Sequence, residues 1–443
     1  MSVAADRSAT VAALGALLAG LAFCSASASS GYGSLYVFQG GSDGAQPAAG
    51  LLQDGAGNLY GTTFNGGGNA SEGTVYEVSP PAKPGGAWTE TVLHRFLDLA
   101  GGQYPFAGLV ADKMGNLYGT TWLGGSGPCY DETCGTVFEL SPPRSPNGTW
   151  NYAVLHNFTG LDGGASQATM VMDGAGNLYG TTSVGGNGTC VGGCGVVFEL
   201  SHAGAAWNET VLYDFPGIGH GEDVVGGTGA PVALDADGNL FGTAIAASGG
   251  AGAVFELARP RRGGAWRYRN LYVFRTARDG SRPLGGVAFD SHGALFGTTE
   301  FGGDVDGCFG NSCGTIFRLT RGAGGFWKHD VLYRFAGTGD GSLPRDALTV
   351  DASGTTLYGT TPNGGTGAGC TGLGCGVLFR LTFVRGRWQE TPLHTYRGNG
   401  DGYVPYGGAI RGPRGMLYGA TEYGGLAACN PPLGCGMVYA AAP

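Results

Sequence analysis

The residues of this chain that could do chemistry are its cysteines, its few histidines and a scatter of loop carboxylates. Ten of the eleven cysteines form five close pairs, Cys129/Cys134, Cys190/Cys194, Cys308/Cys313, Cys370/Cys375 and Cys429/Cys435, with glycine after each second member. Paired thiols are either disulfides or halves of a tetrahedral zinc site, and zinc requires two pairs to converge. His220, Glu222 and Asp223 lie together in the glycine-rich stretch 217–229, Asp304 and Asp306 lie in a second loop, and Tyr130, Asp131 and Glu132 in a third. Imidazole and carboxylates in that company could hold a divalent metal, or pass protons as general acid and base. The plain alternative is a solvated insertion. No phosphate loop, nucleophile elbow or His-Glu-Xaa-Xaa-His string accompanies them in the context it would need. No catalytic residue is nominated and no cofactor is expected.

What must position these groups is a repeat. Asn58-Leu-Tyr-Gly-Thr-Thr63 returns at 116–121, 177–182, 239–244, 294–299, 356–361 and 416–421, seven copies with a period of about 60 residues and centres near 59, 117, 178, 240, 295, 357 and 417. Each unit holds four short runs of β-branched and aromatic residues, here strands A to D, separated by turn chemistry. In the first copy these are 49–54, 58–63, 73–78 and 90–96. Asp54-Gly-Ala-Gly-Asn58 between A and B predicts a tight hairpin, since Asp bonds its own backbone and Gly accepts positive φ. Aspartates return there at Asp112, Asp173, Asp235, Asp290 and Asp351, while the seventh copy has Arg411-Gly-Pro-Arg-Gly415.

Antiparallel four-stranded units with two apolar faces predict an all-β fold, a seven-bladed β-propeller over residues 34–440. The chain enters on a D-type run, Leu35-Tyr-Val-Phe38, and ends on a C-type run, Gly436-Met-Val-Tyr439. The first strand therefore completes the last blade and closes the ring, removing two exposed edges. An open solenoid would not need complementary end fragments.

Aligned on the repeat, most candidates become structural. His94, His156 and His394 occupy the strand D position held elsewhere by Tyr36, Tyr213, Tyr272 and Tyr333. Trp88, Trp150, Trp207, Trp266, Trp327 and Trp388 open strand D, where blade-rim packing explains them. Every cysteine pair falls in the B–C loop, and local pairs there are expected to be disulfides that pin the loops. Strand alternation puts the B–C and D–A loops on one face. That face also carries Asp43, Asp162, Asp279, Asp340 and Asp401 in Asp-Gly turns, which could bind calcium but are first a turn signal. The inner positions of strands A and B read as uniform, so the repeat-breaking candidates remain the loop residues His220, Glu222, Asp223, Asp304 and Asp306.

The ends and the charge bound the setting. Arg7, the apolar run Val11 to Phe23 and the small residues through Ala28 read as a secretory signal peptide over residues 1–28; Cys24 raises lipidation, which Phe23 before it opposes. With 24 basic against 33 acidic residues and a formal charge of -9, no nucleic-acid partner is expected. No later run is long enough to span a membrane.

Leu-Tyr-Gly-Thr-Thr, a Gly-Gly loop, Gly-Thr-Val-Phe-Glu-Leu and Val-Leu-Tyr-Xaa-Phe together resemble the GloVer tandem repeat across about residues 34 to 440. More weakly, Pro231-Val-Ala-Leu-Asp-Ala-Asp-Gly-Asn-Leu240 is similar to NHL and gluconolactonase-like propellers. The resemblance implies an exported bacterial protein, in a family whose C-terminal anchors vary, and no particular activity. The chain ends at Tyr439-Ala-Ala-Ala-Pro443 without an apolar tail, so a secreted or periplasmic location is expected, and the protein is expected to be a monomer. The functional expectation is a non-catalytic module that binds a glycan, peptide or protein on the disulfide-bearing face. The alternative is a metal-dependent hydrolase or lyase acting on a lactone or carbohydrate. Non-repeated carboxylates pointing into the central channel would separate the two.

Overall fold

A computed structural model of the chain describes residues 31–68, 72–127, 129, 133–145, 148–204, 206–217, 224–225, 230–247, 250–261, 263–275, 278–303, 308, 312–367, 370, 373–425, 429 and 433–443. The stretch 1–28, expected to be a signal peptide, lies outside the described residues together with Cys24. Seven four-stranded antiparallel sheets form the blades. Blade 1 comprises Leu52–Gln53, Leu59–Thr63, Thr74–Ser79 and Thr89–Arg95 as strands A to D. Strand A is shorter than its sequence run suggests. Ala48, Ala49 and Gly50, which precede it, line the central cavity instead of extending the ladder.

The hairpin turns follow from their aspartates. Asp54 Oδ1 accepts the amides of Ala56 and Asn58, both at 2.9 Å, and Oδ2 accepts the Asn58 side-chain amide and the Tyr60 hydroxyl. The strand B glycine has a different cause. A Cβ on Gly359 would stand 2.6 Å from the ring of Phe379 on strand C, and one on Gly242 2.5 Å from Phe255, so this position must be bare for the aromatic to lie across it. Strand D carries a bulge in each blade. In blade 1, Val75 pairs His94 and Tyr76 pairs Val92, which leaves Leu93 unpaired. Two successive residues then reach blade 2, Leu93 into the interface core and His94 stacked on Tyr152 at 3.8 Å. Comparable stacks join Tyr213 to Tyr268, Tyr272 to His329 and His394 to Tyr32.

Closure is by the first strand. Blade 7 contains Ala409–Arg411, Leu417–Thr421 and Met437–Ala441, and its outer strand is Tyr32–Val37, with Tyr32 opposite Ala441 and Val37 opposite Met437. The apolar core is correspondingly divided among the blade interfaces. One cluster joins Tyr60 and Val75 of blade 1 to Leu117 and Phe138 of blade 2; another joins Phe38, Val438 and Cys435 at the closing end to Leu59 and Tyr76. The tryptophans sit at the rim as expected, Trp150 edge-on to Tyr60 and Trp207 to Tyr118 of the preceding blade.

All ten paired cysteines are bonded within their own pairs, Cys129–Cys134, Cys190–Cys194, Cys308–Cys313, Cys370–Cys375 and Cys429–Cys435, with Cα separations from 5.0 to 5.4 Å. They sit on the loops as expected, and the second cysteine of each pair also reaches a core, plainest at Cys194. The sequence places Cys194 in a loop, yet its side chain is buried in the core between blades 3 and 4, with Val197, Phe215 and Leu240. The reason is its position next to strand C, Val196–Ala203, which carries the sulfur inward while Cys190 stays half-buried and donates its amide to Cys194 Sγ at 3.0 Å. Cys134, Cys313, Cys375 and Cys435 are buried in the same way. Each pair therefore ties a loop to a blade interface. Five disulfides mark a chain that matures in an oxidising, extracytoplasmic environment. Among the described residues no helix is long and apolar enough to cross a membrane.

Candidate functional site

His220, Glu222, Asp223, Asp304 and Asp306, together with Tyr130, Asp131 and Glu132, lie outside the described residues. Within the stretch 217–229 that carries the first three, Val224–Val225 pairs with Ala246–Ala247 after strand B of blade 4. The Asp-Gly aspartates are engaged in their own turns. Asp43 Oδ2 accepts the Tyr36 hydroxyl at 2.9 Å and the Gln39 amide at 2.8 Å, and Asp340 Oδ2 accepts the Tyr333 hydroxyl and the Ala336 amide, both at 2.8 Å.

The structure gathers a different set, at the mouth where the seven A strands converge. Just before strand A, one residue takes the left-handed conformation, which costs an ordinary side chain of order 1 kcal/mol. Six of these are not glycine: Gln46, Tyr104, Ala165, Arg282, Leu343 and Val404, with φ between 52° and 59°. Each donates its amide to the preceding blade's B–C loop. Leu343 bonds the carbonyl of Cys313 at 2.8 Å, Val404 that of Cys375 at 3.1 Å and Ala165 that of Cys134 at 2.9 Å. Thus a disulfide-pinned loop fixes the segment that carries the next blade's mouth residues.

The cavity these segments enclose measures about 430 Å³ and takes residues from every blade. Its two sides differ. Phe106 is on one side, continued by Phe64, which lies 5.7 Å from it, and by Tyr104 and Trp122 at 5.0 and 6.0 Å from Phe64. Blades 5 to 7 supply the charged side. The Glu300 side chain is only 1% exposed; it accepts from Arg345 Nε at 2.9 Å and lies 3.1 Å from Arg282 Nη1. Arg345 Nη1 in turn donates to the Tyr406 hydroxyl at 3.1 Å. Burial works against the Arg345 charge, but Tyr406 and Glu300 outweigh it and raise its pKa.

Asp346 is the residue that breaks the repeat. Its six counterparts are Ala49, Ala107, Ala168, Ala230, Gly285 and Gly407, all without a polar side chain. Burial pushes its carboxyl up to about 6, against the opposing pull of the Gly407 amide, Thr360 and Arg345. The Thr360 hydroxyl donates to Oδ2 at 3.1 Å. Glu422, next to Arg345 and Tyr406, is pushed by burial up to about 7. The expectation of uniform inner positions therefore fails at blades 5 to 7. The signal was available: Asp346 stands where every aligned copy has Ala or Gly, and Glu300 and Glu422 share the one position just after strand B that also holds Phe64, Trp122, Ser183, Ile245 and Pro362.

Fold and mouth define a disulfide-braced seven-bladed propeller with an asymmetric polar and aromatic cavity on its loop face. The chain belongs to the Gloeobacter/Verrucomicrobia repeat family, whose profile matches residues 10–147 and 129–373. No functionally curated protein matches it. Among solved structures it is similar to the extracellular domain of a one-component system of B. thetaiotaomicron, with 11% identity, a TM-score of 0.48, and coverage of 90% of this chain and 40% of that one. It is also similar to PorZ, a surface component of the type-IX secretion system of Porphyromonas gingivalis, at 12% identity and TM-score 0.45, covering 89% of this chain and 46% of that one. A glucose dehydrogenase-type oxidoreductase of Thermus gives 15% identity and TM-score 0.39, covering 92% and 98%. The chain thus spans less than half the length of the first and second of these. None of the three is close enough to speak to function.

Proposed function

We propose that this protein is an exported, non-catalytic binding propeller, a single domain over residues 34–440 that follows a cleaved signal peptide and takes a neutral glycan at its mouth. The observation that carries this reading is the division of the cavity between aromatic rings and a charge-balanced polar cluster. Ring faces such as those of Phe106 and Phe64 suit the C–H faces of a sugar, while Arg345, Gln167, Glu300 and Asp346 offer donors and acceptors for its hydroxyls. Arg282 and Arg345 are matched by Glu300 and Asp346, so the mouth does not present the excess of one sign that a strongly charged ligand would favour. The protein acts as a secreted or periplasmic monomer.

A second reading is a hydrolase or lyase acting on a lactone or carbohydrate. It is favoured by Asp346 and Glu422, non-repeated carboxyls tuned close to neutral pH, the range in which a general acid or base works. A glycan array probed with the wild-type protein and Arg345→Ala, followed by product analysis on the glycans that score, distinguishes the two. Binding lost in the variant, with no product formed, is the expected result. Turnover abolished by Asp346→Asn would establish the enzyme instead, and an array without a single wild-type signal would remove the glycan reading.

A further inference from the structure

Away from the mouth, the outer strands of neighbouring blades meet at a position that recurs at each interface. The strand D Tyr or His of one blade faces the residue two beyond the tryptophan in the next, a place taken by Tyr32 in the closing strand, which has no tryptophan. At four interfaces the pair is two stacked rings. At the other three the second residue is glutamate: Glu90 near Tyr36 and Asp43, Glu390 near Tyr333 and Asp340, and Glu209 near His156 and Asp162. Only the last combines imidazole with two carboxylates.

We propose that His156, Asp162 and Glu209 form a binding site for one divalent transition-metal ion, zinc foremost, that ties the outer strand of blade 2 to that of blade 3. One ligand atom from each residue lies within 4.8 Å of the other two. His156 Nε2 and Asp162 Oδ2 are 3.1 Å apart, the spacing of two adjacent ligands each about 2.0–2.2 Å from a shared ion. Glu209 supplies the third ligand. Its Oε1 is buried and has no hydrogen-bond partner, a feature Glu90 and Glu390 share at their interfaces, but among these three glutamates Glu209 alone has an imidazole beside it.

The His–Asp contact alone does not account for Glu209. His394 and Asp401 make the same contact at 3.1 Å, and there Tyr32 stacks on the imidazole where Glu209 stands here. The His156 and Asp162 side chains are 20% and 19% exposed, leaving room for water to complete the coordination. One imidazole with two carboxylates suits zinc better than calcium or magnesium, which favour all-oxygen sets. With ligands on strand D of blade 2, its following turn and strand D of blade 3, the ion would act as a cross-brace on the blade interface.

The repeat supplies the control variant. His156→Tyr reproduces the Tyr, Glu, Asp combination that blades elsewhere in the ring already hold, so it is compatible with the fold. Glu209→Gln keeps the shape and removes a ligand charge. The test is to strip the purified mature protein with chelator, reload it with zinc chloride, and measure zinc content and melting temperature for wild type and both variants. The expected result is one zinc per wild-type chain and a melt raised by zinc. Affinity should fall at least about tenfold in each variant, while the zinc-free melts of His156→Tyr and wild type agree. Wild-type protein that takes up no zinc, or equal uptake by His156→Tyr, would overturn the proposal.

Discussion

At the scale of single residues, Glu390 ties a sequence position to a measurable pH dependence. Burial, reinforced by Asp340 beside it, pushes its carboxyl up to about 8 from an ordinary 4.5. Glu390 Oε1 and Asp340 Oδ1 are both buried without a hydrogen-bond partner, so a second negative charge there is poorly solvated and the protonated form of Glu390 is favoured. The folded chain keeps that proton up to about pH 8, whereas the unfolded chain releases it above 4.5. Its contribution to stability is therefore complete below 4.5 and lost as pH rises to 8. Glu390→Gln preserves the neutral shape. Against wild type it should be nearly neutral at pH 5 and more stable at pH 9 by about 1–2 kcal/mol, a figure reduced because the carboxyl keeps some solvent contact. Thermal melts at both values check this, and an equal effect at both would contradict it. Residue roles were unevenly legible in the sequence. The hairpin aspartates and the blade histidines could be read because repetition exposes them. Asp346 was legible as a break in a column of Ala and Gly, but the meeting of Arg345 with Glu300 was not, because it depends on side chains from two separate blades.

At the scale of elements, the disulfides brace the mouth as well as the loops that contain them. Cys375 O holds the Val404 amide two residues before Tyr406, and Cys313 O holds Leu343 two residues before Arg345. The pairs are separated by 4 to 6 residues, short loops for which closure is worth about 2 kcal/mol each. Replacing Cys370 and Cys375 together by serine should lower stability by about that amount and leave the blades formed. Ligand affinity at the mouth should weaken, because the carbonyl that holds Val404 at φ 55° is no longer fixed by a disulfide. Hydrogen exchange localises the effect: faster exchange around 403–408 is expected, and unchanged exchange there would separate the staple from the site. Blades 1 and 4 lack a pair, and there Glu72 and Ala251 supply the equivalent carbonyl. The sequence predicted the pairing from spacing and location. It did not reveal that the second cysteine, Cys194 among them, packs into an interface core, because loop position alone says nothing of burial. Nor did it reveal the link to the mouth, which runs through backbone carbonyls that carry no residue code. Strand A also came out shorter than its apolar run, since residues at the centre face a cavity rather than another strand.

At the scale of the whole molecule, closure turns seven weak units into one cavity. Most of this was legible, because the complementary fragments at the two ends already implied that Tyr32–Val37 would complete the sheet of Met437–Ala441. Deleting residues 32–37 exposes the edge of Met437–Ala441 and strips Tyr32, Leu35, Tyr36 and Val37 from two interface clusters. The expected outcome is an aggregating chain or one with a broadened, earlier melt; a cooperative wild-type melt would show that the ring does not need its closing strand. The mouth is a product of that closure, and its occupancy by a sugar is the claim most open to direct test. Trp122 lies in the aromatic cluster beside the cavity, whereas the other six tryptophans open outer strands. Titrating wild type, Trp122→Phe and Arg345→Ala with neutral oligosaccharides, read by tryptophan fluorescence, tests it. A saturable change in wild type that disappears in Trp122→Phe and needs at least about tenfold more sugar in Arg345→Ala is the predicted result. A flat wild-type response across the oligosaccharide panel, or an identical curve in all three proteins, would contradict it.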